Sequence, residues 1–342
     1  MARTTIKDIA RIAALSQATV SLALRNDRRI SAETKSRVLK IARETGYIYN
    51  RQAANLRMNR SRTVAVCLNT MENPIVAHVF TSLLRVFQPE GWMVLFGDTE
   101  DSADKQKDFI TSVMEHNIDG IVVIPAVGTD AGELADLSRQ VPIVLALRAV
   151  PGSDLDQVRI DYRGGVEQAV DHLVALGHRR IGWMGGGLAT ETSRAGLAGF
   201  RDRLAHHRIE LKPTWIHRCL TSRRNGAEAL RALRSGAPDL SAVLCFSDLL
   251  AAGALKQLAE DGVVPGRDMS VIGFDDLEEA SYLLPPLTTV RLDQALLGET
   301  AARLLLDRIN DPAMPQKVVT IAAELVVRGT TGRNGRPGTA PA

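Results

Sequence analysis

Apolar positions recur along this chain with two different spacings, and the change between them divides it. In the first fifty residues the spacing is helical. Ile6, Ile9, Ala10 and Ala13 fall on one stripe of a short helix, with Thr5 as its N-cap and Asp8 at the third helical position. Ser16 is a second N-cap; the helix it opens turns Val20 and Leu24 inward and leaves Gln17, Ala18, Ser21 and Leu22 on the opposite face. A third helix from Ser31 or Ala32 to about Thr45 carries Val38, Leu39, Ile41 and Ala42 and stops at Gly46. Two short helices joined by a tight turn, the second showing small polar side chains in its first turn, have the helix-turn-helix geometry that enters a major groove.

From Thr63 the pattern becomes a series of short apolar runs: "TVAVCL", "MVLFG", "GIVVIP", "PIVLAL", "RIGWMG", "AVLCFS" and "MSVIGF". Each is bounded by Gly, Pro, Asn or Asp, and helix-length segments separate them, which is the signature of parallel sheets wound by βαβ units. Seven such strands over about 210 residues suit two sheets better than one. Between the halves, "YNRQAANLRMNRSRT" is basic and largely polar, and too short to hold a helix alone in water. Taken by itself it reads equally as a flexible linker or as a helix that orders only against a partner.

Charge sharpens the division. Residues 1–62 hold fourteen Lys or Arg and four acidic residues, a net +10; because the whole chain is +3, the remaining 280 residues carry −7. A basic head on an acidic body points to a polyanionic partner for one end only. Cys67, Cys219 and Cys245 lie far apart in or beside apolar runs, so they read as buried thiols of a reducing compartment and not as a disulfide framework. The seven histidines show no metal-ligand spacing, and His178 after Gly177 reads as a helix-end cap. Charged residues interrupt the N-terminal apolar stretch and no run reaches membrane length, so the expected location is the cytoplasm, with no membrane partner.

The segment "TTIKDIARIAALSQATVSLALR" and the match running without a gap to Tyr47 resemble the head of the LacI/GalR (lactose repressor) family. "DHLVALGHRRIG", "SVIGFDD" and "PPLTT" carry the likeness on to about Thr330. The resemblance implies an α-helical helix-turn-helix head plus an α/β two-lobed core like the type I periplasmic binding proteins. The head is then 1–50 and a hinge helix 51–62. The first lobe is 63–161 and 290–321, the second 162–289 and 322–331, and 332–342 is a disordered tail without the leucine heptads of a tetramer. By the same resemblance Gln17, Ala18 and Leu22 read base edges, and Thr5, Ser16, Thr19, Ser21, Ser31 and Asn50 touch phosphate or sugar. Ala53 and Leu56 lie on the hinge, with Leu56 as the wedge in the minor groove. The partners implied are double-stranded operator DNA, a second copy of the chain packed through Tyr282 and "SDLLAAGALKQLAEDG", and a small-molecule effector. No cofactor is implied.

Two departures bear on the head. Leu22 stands where the family commonly has a polar residue, so it offers only apolar contact, or else it belongs to the core. Ala14 replaces the usual turn glycine, at a cost of about 1 kcal/mol if its backbone is left-handed. In the core, strand ends nominate Asn69, Ile124, Leu147, Arg148, Asp161, Gly185, Ser247 and Asp275 as cleft residues, with Asp275 the foremost effector contact. The rest of the family pocket is altered. Gly196 replaces an arginine, Ser247 an asparagine, Thr221 an aromatic residue and Leu147 an acid. Arg148 and Arg194 stand beside the vacated positions, either as displaced cations for an anionic effector or as surface arginines. The effector set is therefore Arg148, Asp161, Arg194, Thr221, Ser247 and Asp275.

Two rivals share parts of this pattern. An NAD-type enzyme would need more than the bare glycine run in "WMGGGLATETS", which is not G-x-G-x-x-G, and no nucleophile elbow is present. A solute-binding protein would share the two lobes but not the DNA-reading head.

Overall fold

The computed structural model describes residues 4–24, 27–47 and 61–335. It comprises two compact units, 1–61 and 62–342. In the first, helices α1 (Ile6–Ile12), α2 (Gln17–Leu24) and α3 (Ala32–Glu44) close around Ile9, Ala10, Ala13, Val20, Ala23 and Val38. Leu39 stays on the outside of α3. The caps are local chemistry: the Asp8 carboxylate accepts from both the N–H and the hydroxyl of Thr5, and the Ser31 Oγ accepts from the Thr34 N–H. Ala14 sits in the turn at φ 52°, in the left-handed region, and Gly46 ends α3 at φ 63°.

The second unit alternates strand and helix. Its elements begin with β1 (Thr63–Leu68), α4 (Pro74–Phe87), β2 (Met93–Asp98), α5 (Ala103–Met114), β3 (Gly120–Val123), α6 (Ala131–Ser138), β4 (Ile143–Leu147) and β5 (Asp156–Ile160). There follow α7 (Tyr162–Ala175), β6 (Ile181–Met184), α8 (Glu191–His206), β7 (Ile216–His217), α9 (Arg223–Gly236), β8 (Ala242–Cys245), α10 (Asp248–Glu260) and β9 (Ser270–Asp275). The last are β10 (Thr288–Arg291), α11 (Gln294–Asn310), β11 (Val318–Ile321) and β12 (Glu324–Val326). One sheet has the order β11-β5-β4-β3-β1-β2 and is parallel throughout; the other runs β12-β10-β9-β8-β6-β7, with only β12 antiparallel.

Burial on both faces explains why the central strands are continuous apolar runs. In the first sheet Ala65, Cys67, Ile121, Val123, Ile143 and Leu145 pack against Ile110, Val113 and Leu134 of α5 and α6. The alternate residues, Val64, Val66, Leu68, Val122 and Val144, join the larger core with α4 and α11. In the second sheet Trp183 is fully buried against Phe200, with ring centroids 5.3 Å apart.

The chain passes between the sheets three times: after β5, after β10 and after β11. The second passage falls later than residue 290, because β10 runs to Arg291 and pairs in register with β9. Arg308 of α11 secures the return by donating to both oxygens of the buried Asp156 carboxylate of β5, at 2.8 and 2.9 Å. Arg291 and Arg328 both donate to Asp276, holding the last crossing beside β9.

His178 closes the helix before it, its backbone N–H donating to the Leu173 carbonyl at 3.0 Å after the left-handed Gly177, and it is also a buried hub, its ring nitrogens within 2.9 Å of the Ser241 and Ser270 hydroxyls and 3.0 Å of the Gly332 carbonyl. The tail expected to be free from residue 332 is therefore tied down at its start, and the Asn334 N–H donates to Leu176 O. Residues 336–342 lie outside the described residues.

Candidate functional site

In the head, α2 sorts its residues cleanly. Val20 and Ala23 are buried, Gln17 and Ala18 are exposed, and Ser21 and Leu22 are half-buried on the same outer face. Leu22 is not part of the apolar cluster around Ile9 and Val38, so the core alternative for it falls away. Ser16 begins the helix with its Oγ accepting from the Thr19 N–H and lying 2.8 Å from the Thr19 hydroxyl. Thr5 and Ser31, also exposed, occupy the N-caps of α1 and α3, so three helix starts carry hydroxyls at the surface. Lys7, Arg11, Arg28, Arg29, Lys40 and Arg43 are exposed in the same unit. Asn50, Ala53 and Leu56 lie outside the described residues.

In the core, a cavity of about 80 Å³ opens between the two sheets, at the carboxyl ends of their strands. It brings together Arg148, Thr221, Ser247 and Asp275 of the sequence-nominated residues, with Asn69 and Leu147. Asp161 is elsewhere: its carboxylate caps α7 by accepting from the Gly164 N–H. Arg194 is also displaced, to a neighbouring hollow, where it donates to the Ala189 carbonyl. Both were nominated from chain position alone, and side-chain direction decides otherwise. Ile124 is buried and does not line the cavity.

The residues missed were Asn73, Tyr162, Thr190, Thr192, Ser193 and Phe246. A signal existed for two of them, since Asn73 before Pro74 and Thr190 three residues before Ser193 are helix starts, and helix starts follow strand ends in this fold. Tyr162 stacks between Phe274 and Phe246, at centroid distances of 5.1 and 6.0 Å, giving the cavity an aromatic wall. Gly196 sits behind that wall; a Cβ there would lie 3.3 Å from both Phe246 and Trp183, so even an alanine would press on the two rings.

Backbone strain gathers at the same place. Leu147 has φ 66° and Asp275 φ 123°, which cost roughly 1–3 kcal/mol each and turn both strand ends into the cavity. Burial pushes the Asp275 carboxyl well up from its ordinary value, the neighbouring Asp248 adds to the rise, and the Ser247 hydroxyl and Asp248 N–H oppose it. Burial likewise raises Asp248 to about 7, although it accepts from the Thr289 hydroxyl at 2.6 Å and the Leu277 N–H at 2.8 Å. The thiols are free; burial pushes Cys67 up to about 12 and Cys245 well above the usual thiol range. Among the described residues no His, Cys, Asp and Glu cluster could hold a metal, and no helix is long and apolar enough to cross a membrane.

A three-helix head with an outward-facing second helix, followed by two largely parallel sheets around a polar cleft, defines a DNA-binding regulator with a ligand-sensing core. Residues 5–50 match the bacterial regulatory proteins of the lacI family, and residues 170–331 match a periplasmic binding protein-like domain. The HTH-type transcriptional repressor CytR of Escherichia coli (strain K12) is 31% identical over 327 residues, 96% of each chain. The HTH-type transcriptional repressor PurR of Mannheimia succiniciproducens is 29% identical over 325 residues, 95% of this chain and 97% of that one. A lac repressor dimer bound to operator and the anti-inducer ONPF superposes with a TM-score of 0.87 at 25% identity, over 96% of this chain and 99% of that one. This chain belongs to the LacI/GalR family of transcriptional repressors. It is accordingly a transcriptional regulator with a DNA-binding head and a periplasmic-binding-protein-like core.

Proposed function

We propose that the chain works in the cytoplasm as a homodimeric repressor whose two heads read the half-sites of a pseudo-palindromic operator. The observation that carries this reading is the outer face of α2, where Gln17 and Ala18 are exposed, beside Leu22, while Val20 and Ala23 are buried. Gln17, Ala18 and Leu22 read base edges; Thr5, Ser16, Thr19, Ser21, Ser31 and Asn50 hold the backbone. Leu22 contributes apolar contact only, so the half-site has a thymine methyl where relatives with a polar residue there meet a hydrogen-bonding edge. Residues 51–62 form the hinge, with Ala53 and Leu56 in the minor groove.

In the core, the first lobe is 63–161 with 293–321 and the second 162–292 with 322–331. A small molecule held by Arg148, Thr221, Ser247 and Asp275 changes the lobes' relation and so the pairing of the hinges. The chain performs no catalysis. The test is selection of operator sequences from random duplex DNA by the purified full-length protein, repeated with Gln17→Ala. A two-fold symmetric consensus that loses definition at one position per half-site in the variant supports the reading; the absence of any consensus sinks it.

A further inference from the structure

Only two charged side chains, among the described residues, line the cleft cavity: Arg148 and Asp275. Arg148 is already spent within its own lobe. Its Nη1 donates to Asp101 Oδ1 at 2.6 Å and to the Pro125 carbonyl at 3.1 Å, and its Nη2 to Asp101 Oδ2 at 3.2 Å. Asp275 has no comparable partner. The cations near its strand end, Arg291 and Arg328, are claimed by Asp276, and the ionisable group that acts on it is a second carboxyl, Asp248. A buried carboxyl without a counter-charge is held protonated, and a cationic ligand that supplies the charge binds as that proton leaves.

The neutral lining points the same way. Three helices start at the cavity, and each start is already capped by its own side chain: Asn73 accepts from Ile75, Thr190 from Ser193 and Ser247 from Leu249. The glycine loop after β6 spends its N–H groups at Gly185 and Gly187 on the His217 and Cys219 carbonyls. These N–H groups are thereby taken up within the protein. On the opposite lobe Asn69 is 1% exposed, and its Oδ1 has no hydrogen-bond partner. Where the family resemblance puts an arginine, this chain has Gly196, close under the rings of Phe246 and Trp183.

We propose that the ligand of this cleft is a compact organic cation, an amine or amidine, whose N–H groups donate to Asp275 against the aromatic wall of Phe246 and Tyr162. Carboxylates and phosphates find no free lining side-chain cation there among the described residues and are expected not to bind. The inference rests on the reading of the cleft as the effector site and names the chemistry of that effector. It replaces the anionic ligand that Arg148 and Arg194 suggested from position.

The experiment is thermal melting of the full-length protein with probes matched in skeleton and different in charge: glucosamine, glucose and glucose 6-phosphate, and agmatine, butanediol and glutarate. At least one cationic probe is expected to raise Tm in a saturable way. The anionic probes leave it unchanged. Asp275→Asn, which keeps the side chain's size, is expected to weaken the cation by at least about tenfold, as loss of a charged hydrogen bond does. Stabilisation by glucose 6-phosphate or glutarate overturns the proposal. So does equal stabilisation by glucosamine and glucose, a null result with both cations, or an unchanged cation affinity in the variant. The charge series on the unaltered protein decides even where the variant does not fold. Operator binding of the unliganded protein is followed in parallel; its loss counts against the regulator reading and leaves the order of the melts as a separate result.

Discussion

The head and the cleft recognise their partners by opposite means. The head gathers its contacts from one contiguous stretch, places hydroxyls at three helix starts and exposes Lys and Arg in the same unit. The cleft draws single residues from Asn69 to Asp275, buries Asn69, Ser247 and Asp275 among them, and neutralises its one lining cation internally. A surface of that first kind reads a polyanion through long-range charge; a cavity of the second kind selects by fit and a few desolvated hydrogen bonds. The molecule thus separates a salt-sensitive function from a salt-insensitive one, and the separation is open to attack.

Ionic strength is the strongest lever. Raising salt from roughly 50 to 200 mM should lower operator affinity by about a thousandfold or more, as phosphate contacts release counterions. Probe-induced stabilisation of the core, resting on buried groups, should change little over the same range. Gel shifts and melting curves at matched salt check the pair, and a shared steep slope removes the contrast.

Next in size is the pH response of the core. Asp248 in the fold titrates near 7, against roughly 4 for an ordinary aspartate. The folded state therefore holds a proton that the unfolded chain has lost. Its stabilising contribution is complete below about 4 and disappears as pH rises through 7, at a cost on the order of a few kcal/mol. Asp275, shifted the same way, adds to it. The core's Tm should fall across this window, and Asp248→Asn should flatten the fall while still offering an oxygen to Thr289 or Leu277. Melts of both proteins from pH 5 to pH 8 are the check. An identical slope would mean that Asp248 does not govern the fall; the buried His178, whose imidazole burial holds below its ordinary value, acts in the opposite direction and cannot supply it.

How far each region was legible follows from the same contrast. The head's caps, its helical stripe, the outer face of α2 and even the left-handed turn at Ala14 are set by neighbours within a few residues, and all are found in place. The apolar runs likewise gave away the central strands, because those are buried on both faces. The polar or edge strands β5, β7, β10, β11 and β12 were not visible: "DQVRI" is held by the Asp156 pair with Arg308, 152 residues away. In the cleft, proximity to a strand end located Asp275 but misdirected Asp161, whose side chain turns back to cap its own helix. Arg148 was found, but not the Asp101 that occupies it. Tyr162 and Phe246 gave no sequence signal beyond apolarity, since what makes them a wall is their mutual stacking.

A smaller effect tests the hinge. Leu56→Ala should reduce operator affinity by roughly tenfold through loss of the wedge between base steps, while the core's Tm and the dimer are unchanged. Fluorescence anisotropy with a labelled operator, beside sedimentation of the free protein, reads both. Wild-type affinity in the variant would leave residues 51–62 as a tether and confine recognition to the three helices.

The smallest expected change probes the head alone. Ala14 occupies φ 52°, where a Cβ crowds the backbone and glycine does not. Ala14→Gly relieves that crowding but adds freedom to the unfolded chain, and at a left-handed position relief is the larger of the two, leaving a gain of up to about 1 kcal/mol. Hydrogen exchange of the α1 and α2 amides should slow by several-fold, whereas exchange in β1 to β5 should not move, because the head and the core are separate compact units. Slowed exchange in the core would instead mean that the two units unfold together, and the division of labour between a charged reader and a buried sensor would be one of chemistry without being one of stability.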